Sequence, residues 1–150
     1  MRVFQSLREF ERAAGTRLGH GEWFEVAQDR IDRFADATGD RQWIHVDPRR
    51  AEAGPFGTTI AHGFLTLSLI PALTEGIVRV AGLAAAVNYG CGKVRFPAPL
   101  PVGSRIRAGV DLVSVDSTTA GALSTTRVTV EREGSGKPVC VADTLTLLVP

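Results

Sequence analysis

At 150 residues, with 44% apolar and 22% charged side chains, the chain suits one domain, spanning residues 1–150, that buries roughly two-thirds of the surface its unfolded form exposes. This composition excludes a disordered or fibrous protein. The formal net charge is +1, and basic residues occur in ones and twos, which argues against a nucleic-acid partner, whose electrostatic footprint is concentrated. No window has the length of a membrane span. The first ten residues interleave charges with apolar side chains, so no signal peptide is expected. Cys91 and Cys140 form no CxxC pair. Neither a metal nor a redox role is expected of them, and a reducing cytoplasm is the expected compartment.

Ser6 to Gly15 combines a capping serine, a glutamate three residues later, apolar residues at helical spacing and a terminal glycine, and predicts a short amphipathic helix. After the turn-prone Gly19–Gly21, alternation over Trp23–Ala27 predicts a strand. Gln28 or Asp29 is expected to cap a second helix over Arg30–Ala37, with Ile31, Phe34 and Ala35 on one face and Gly39 as its stop. Asp47-Pro48 has the cap-and-proline form of another helix start. From Ile60 to Leu73 the chain is apolar almost all round, as expected of a central helix buried on every side, and Pro71 predicts a kink near its end.

The second half changes period. Segments 87–96, 104–115, 122–132 and 139–148 are rich in β-branched residues and predict four strands, most simply an antiparallel meander. Pro97, Pro99 and Pro101 predict a rigid extended connection instead of a pairing strand.

Three segments carry a family resemblance. Phe34-Ala-Asp-Ala-Thr-Gly-Asp-Arg-Gln-Trp-Ile-His45, followed by five residues and Ala51, resembles the signature of the MaoC-like hydratases, or (R)-specific enoyl-CoA hydratases. Ile60-Ala-His-Gly-Phe-Leu-Thr66 is similar to the start of that family's central helix, and Lys93 to Gly103 to its following strand and turn. Gln42 and Trp43 stand where the family usually has asparagine and proline. The resemblance implies an α+β hot-dog fold, a curved antiparallel sheet wrapped around a long central helix. It further implies a homodimer, because family members build the catalytic unit from two such folds.

The implied activity is reversible hydration of a trans-2-enoyl-CoA to a (3R)-3-hydroxyacyl-CoA. The thioester is the substrate; coenzyme A is only its carrier, and no metal or other cofactor is implied. Such chemistry needs water activated at C3, a proton at C2 and a donor for the charge developing on the thioester oxygen. A carboxylate and an imidazole, with ordinary pKa values of about 3.9 and 6.5, can share one water near neutral pH. The resemblance assigns these roles to Asp40 and His45, with either as the formal base, and the oxyanion donor to the Gly63 amide. A glycine there is expected to leave the thioester an open approach.

Gln42, His62, Asn88 and Tyr89 are candidate substrate-binding residues. Each has a structural counterpart: Gln42 can satisfy loop backbone, His62 can fix the loop before the helix, and Asn88 and Tyr89 can pack in a strand. His20 is expected at the surface, Cys91 as a small buried hydrophobe, and Arg95, Arg105 and Arg107 either near carrier phosphates or on a solvated face. The same residues admit three other readings: a dehydratase acting on a hydroxyacyl carrier protein, a hot-dog acyl thioesterase, and a non-catalytic acyl-thioester-binding subunit.

Overall fold

The computed structural model describes residues 1–150. Strand β1 (Arg2–Phe4) leads into α1 (Leu7–Arg12), where Ser6 Oγ accepts from the Glu9 N–H (3.2 Å) and the Glu9 carboxylate accepts from Gln5 N–H (2.6 Å). This reciprocal pairing satisfies donors that the first helical turn leaves free. Two short strands follow, β2 (Arg17–His20) and β3 (Phe24–Val26). Only β3 was expected; β1 and β2, of three and four residues, are too short to show alternation.

Helix α2 (Gln28–Thr38) is capped by Ala27, with no side-chain bond at the cap, and not by Gln28 or Asp29. Gln28 is instead drawn into long-range contacts described below. Ile31 and Ala35 are fully buried and Phe34 packs against the core, so the apolar face is the expected one. Next come α3 (Trp43–Val46) and α4 (Pro48–Glu52), the latter capped by Asp47, which accepts from Arg50 N–H (3.0 Å).

The central helix is broken into α5 (Gly63–Ser68) and α6 (Ile70–Thr74). Leu69 and Leu73 still donate to Leu65 and Leu69 (both 2.9 Å), but Pro71 has no N–H to continue the ladder, which accounts for the break. Its start is later than Ile60, because Ile60 pairs in a bridge with Pro101, so the proline connection does contribute a pairing residue. Nor is the helix buried on every side: Leu65, Leu69, Ile70 and Leu73 face the core, while Phe64 is 68% exposed.

After β4 (Val78–Val80), which pairs in parallel with β1, the long strands follow as β5 (Ala85–Arg95), β6 (Ser104–Thr118), β7 (Gly121–Arg132) and β8 (Cys140–Val149). The sheet order is β2-β6-β7-β8-β5, with β3 also on β6. Only β6, β7 and β8 form the expected meander; β5 lies beside β8 at the far edge. The connection through Pro97, Pro99 and Pro101 makes this crossing possible, since eight extended residues reach roughly 26 Å and three strand spacings are only about 14 Å. One cluster of 23 buried residues, including Val26, Ile31, Leu65, Ile106, Leu112, Val128 and Val130, fills the space between helices and sheet. No helix is long and apolar enough to cross a membrane.

Candidate active site

The end of α2 sets the first component. Gly39 takes the left-handed conformation (φ 79°) and donates to the Ala35 carbonyl (2.8 Å), so the helix stops and Asp40 turns out of it. Helix α3 then carries His45 back. Its position is fixed by Gln28, whose amide donates to the His45 carbonyl (2.7 Å) and accepts from Thr59 Oγ1 (2.5 Å). Ile60 N–H donates to the Ile44 carbonyl (3.0 Å). Gln28 thus ties α2, α3 and the 59–60 segment together, a role no local pattern announced.

Trp43, in place of the family's proline, is held by neighbours. A Cβ at Gly54 would come within 2.9 Å of its ring, and the Arg50 guanidinium sits 4.5 Å from the ring centroid. Aromatic packing therefore supplies a constraint where the proline ring is missing. Gln42 is exposed, and its N–H makes a long contact with Asp40 Oδ1 (3.5 Å).

His45 is buried (6% exposed), and its Nδ1–H donates to the Ile60 carbonyl (2.6 Å). This fixes the tautomer and leaves a lone pair on Nε2. Burial, together with the neighbouring His62, pushes the His45 pKa below its ordinary value, against the Ile60 hydrogen bond and the Asp40 charge, which act the other way. Its imidazole is accordingly biased toward the neutral, proton-accepting form. The Asp40 side chain is half exposed, with Oδ2 4.0 Å from His62 Nε2.

His62 lies behind this pair. Its ring stacks on His45 at 3.7 Å between centroids and 22° between planes, and its Nε2–H donates to the Asp40 carbonyl (2.9 Å). The donor atoms of Asp40, His45 and His62 all fall within 4.8 Å of one another. That cluster is poorly shaped for a metal. The lone pairs of the stacked rings lie in nearly parallel planes with centroids 3.7 Å apart, whereas an ion bound at roughly 2.0–2.1 Å needs to lie in the plane of each ring, and His62 Nε2 is already engaged with the Asp40 carbonyl.

Gly63 opens α5 directly after His62, and its N–H has no acceptor in the backbone network. The open approach expected above its Cα is absent. A Cβ there would meet the Phe96 ring at 2.7–2.9 Å, so the glycine is demanded by the aromatic ring packed over it, and Phe96 is a site neighbour that the sequence did not single out. Asn88 and Tyr89 stand apart from the Asp40/His45 pair. They border a cavity of about 780 Å³ between the sheet and the C-terminal half of the central helix, lined also by Leu67, Pro71, Val128 and Leu148. Cys91, exposed at this rim, is not the buried hydrophobe expected, because β5 is an edge strand with nothing over it. Cys140 is the buried thiol, its pKa raised to about 11 by desolvation. His20 is exposed as expected. Arg105 and Arg107 are paired with Glu133 (3.1 Å) and Glu131 (3.0 Å) on the outer surface.

Residues 9–134 match the family model described as MaoC like domain. The chain belongs to the MaoC-like family. It is 54% identical over 146 residues to 3-hydroxyacyl-thioester dehydratase Z of Mycobacterium tuberculosis, 97% of each chain being covered. Among solved structures it resembles a monoamine oxidase regulatory protein from Archaeoglobus (TM-score 0.79, 23% identity, 99% of this chain and 97% of that one). It also resembles the (R)-hydratase from A. caviae (TM-score 0.73, 20% identity, 91% and 96% covered). The hot-dog fold is thereby established for this MaoC-like chain, and it is an enzyme of the hydratase–dehydratase class.

Proposed function

We propose that this MaoC-like enzyme catalyses the reversible hydration of a trans-2-enoyl thioester, carried on coenzyme A, to the (3R)-3-hydroxyacyl thioester. The observation that supports it most is the convergence of the Asp40 carboxylate and a tautomer-fixed His45 within 4.8 Å. One water held between them has two acceptors. Its oxygen bonds to C3, its proton passes to the pair, and the pair returns a proton to C2, so that one H₂O is added and no separate cofactor is consumed. The Gly63 N–H is the donor for the thioester oxygen as charge develops there. The apolar cavity is suited to the acyl chain, with Asn88 and Tyr89 at its rim. Two copies of the chain form the working unit, joined through β5.

Loss of enoyl absorbance on adding crotonyl-CoA or longer enoyl-CoAs tests the reading, and no turnover at any chain length refutes it. Turnover of carrier-protein thioesters alone would select the carrier-protein dehydratase, and free thiol from saturated acyl-CoA a thioesterase. Saturable binding without turnover would select a binding subunit. Asp40→Asn and His45→Gln are each expected to lower kcat by roughly 100-fold or more with the fold retained. A fully active double variant would overturn the assignment.

A further inference from the structure

We propose that His62 is the positioning residue of this site, a buried clamp that holds the Asp40 loop against His45 and joins both to the start of α5. The inference rests on the Asp40/His45 reading above. His62 is 3% exposed, so its contacts are internal. One edge of the ring donates to the Asp40 carbonyl (2.9 Å), one face stacks on His45, and Phe34 of α2 lies against it at 4.9 Å. Its own carbonyl accepts from Thr66 N–H (3.2 Å), so the residue is also the first acceptor of the α5 ladder. The three parts that the chemistry must align come from separate elements, and this residue joins them, its ring meeting Asp40 and His45 and its backbone starting α5.

His62 Nδ1 is enclosed and has no hydrogen-bond partner, an arrangement that costs free energy and is uncommon among buried polar atoms. Packing alone would be met by an apolar ring of the same size. What an apolar ring cannot supply is the N–H to the Asp40 carbonyl; the loop's other bonds run to its own sequence neighbours, Arg41 N–H to the Gly39 carbonyl (3.1 Å), the exposed Arg41 guanidinium to Asp36 (2.7 Å) and a long Asp40 N–H contact to Thr38 Oγ1 (3.4 Å). His62 therefore retains an unpaired nitrogen as the accompaniment of the bond made by the other.

His62→Phe keeps a ring in place and removes the donor, while His62→Gln keeps an N–H. In the proposed hydration, His62→Phe is expected to lower kcat roughly 100-fold, the scale of a small misplacement of reacting groups, with KM little changed, and His62→Gln to recover part of the loss. Because the effect runs through Asp40, adding His62→Phe to Asp40→Asn should cost little more than Asp40→Asn alone. Full additivity, or a fully active and folded His62→Phe, overturns the proposal. Should the Phe variant fail to fold, ¹⁵N-detected imidazole spectra of the wild type decide instead: a ring protonated at Nε2 supports the clamp, and one protonated at Nδ1 refutes it. A wild type with no turnover refutes the hydratase reading, and the same spectra still decide the clamp.

Discussion

At the residue scale, His45 combines two environments that pull in opposite directions. Its Nδ1–H bond to Ile60 favours the charged ring, yet desolvation prevails and the pKa lies below the ordinary value of 6.5. Between the depressed folded value and the unfolded value of about 6.5 the unfolded chain binds more protons, so stability falls as pH drops through that window and is restored above it. Catalysis that needs a neutral acceptor at Nε2 follows the same direction. The acid limb of kcat/KM is expected below pH 6.5, set by the lowered pKa of His45. A pH–rate profile with that limb at or above 6.5 would contradict the role given to His45. The two site residues were readable because a carboxylate and an imidazole at fixed spacing belong to one local segment. His62 was readable as a residue that fixes the loop, which its bond to the Asp40 carbonyl bears out, whereas Gln28 and Phe96 were harder to read, since each acts through contacts distant in sequence, Gln28 with Thr59 and Phe96 with Gly63.

At the element scale, the long strands and α2 declared themselves through period and stop signals, and the Pro71 break followed from a missing donor. The strand order did not, because period says which face of β5 is apolar and nothing about which neighbour it joins. The break before Asp40 shows how an element end becomes a functional feature. Gly39 has φ 79° and open space around a would-be Cβ, so Gly39→Ala meets no clash and its cost is that of a left-handed alanine, about 1–2 kcal/mol. Because Asp40 follows immediately, the same strain falls on the loop that carries this candidate residue. Gly39→Ala is expected to lower the unfolding free energy by that amount and to reduce kcat, whereas Gly39→Asn, which tolerates this conformation, should do less of both. Denaturant unfolding alongside the enoyl assay separates the two effects, and an Ala variant as stable and active as wild type would remove Gly39 from the account.

At the scale of the whole molecule, one chain leaves its sheet unfinished. All of β5 except Val94 is exposed, including Val87 (49%) and Tyr89 (67%), and its outer edge carries backbone donors and acceptors with no partner strand. An edge of this length is a liability in an isolated monomer, and it has no lysine or proline along Ala85–Gly92 to deter pairing. Phe64 on the central helix is also exposed. Pairing of β5 with a second copy would continue the sheet and place the partner beside the cavity that Asn88, Tyr89 and Cys91 border. Light scattering on the wild type is expected to give the mass of two chains, and Val87→Lys with Tyr89→Lys to shift it toward one, because like charges at a strand edge repel their copies. Each methylene buried contributes about 0.8 kcal/mol, so a cavity opened by loss of the partner should raise KM more for an eight-carbon than for a four-carbon enoyl thioester. A monomeric wild type at micromolar concentration would refute the pairing. A monomeric double variant with an unchanged chain-length profile would show that the partner takes no part in closing the cavity.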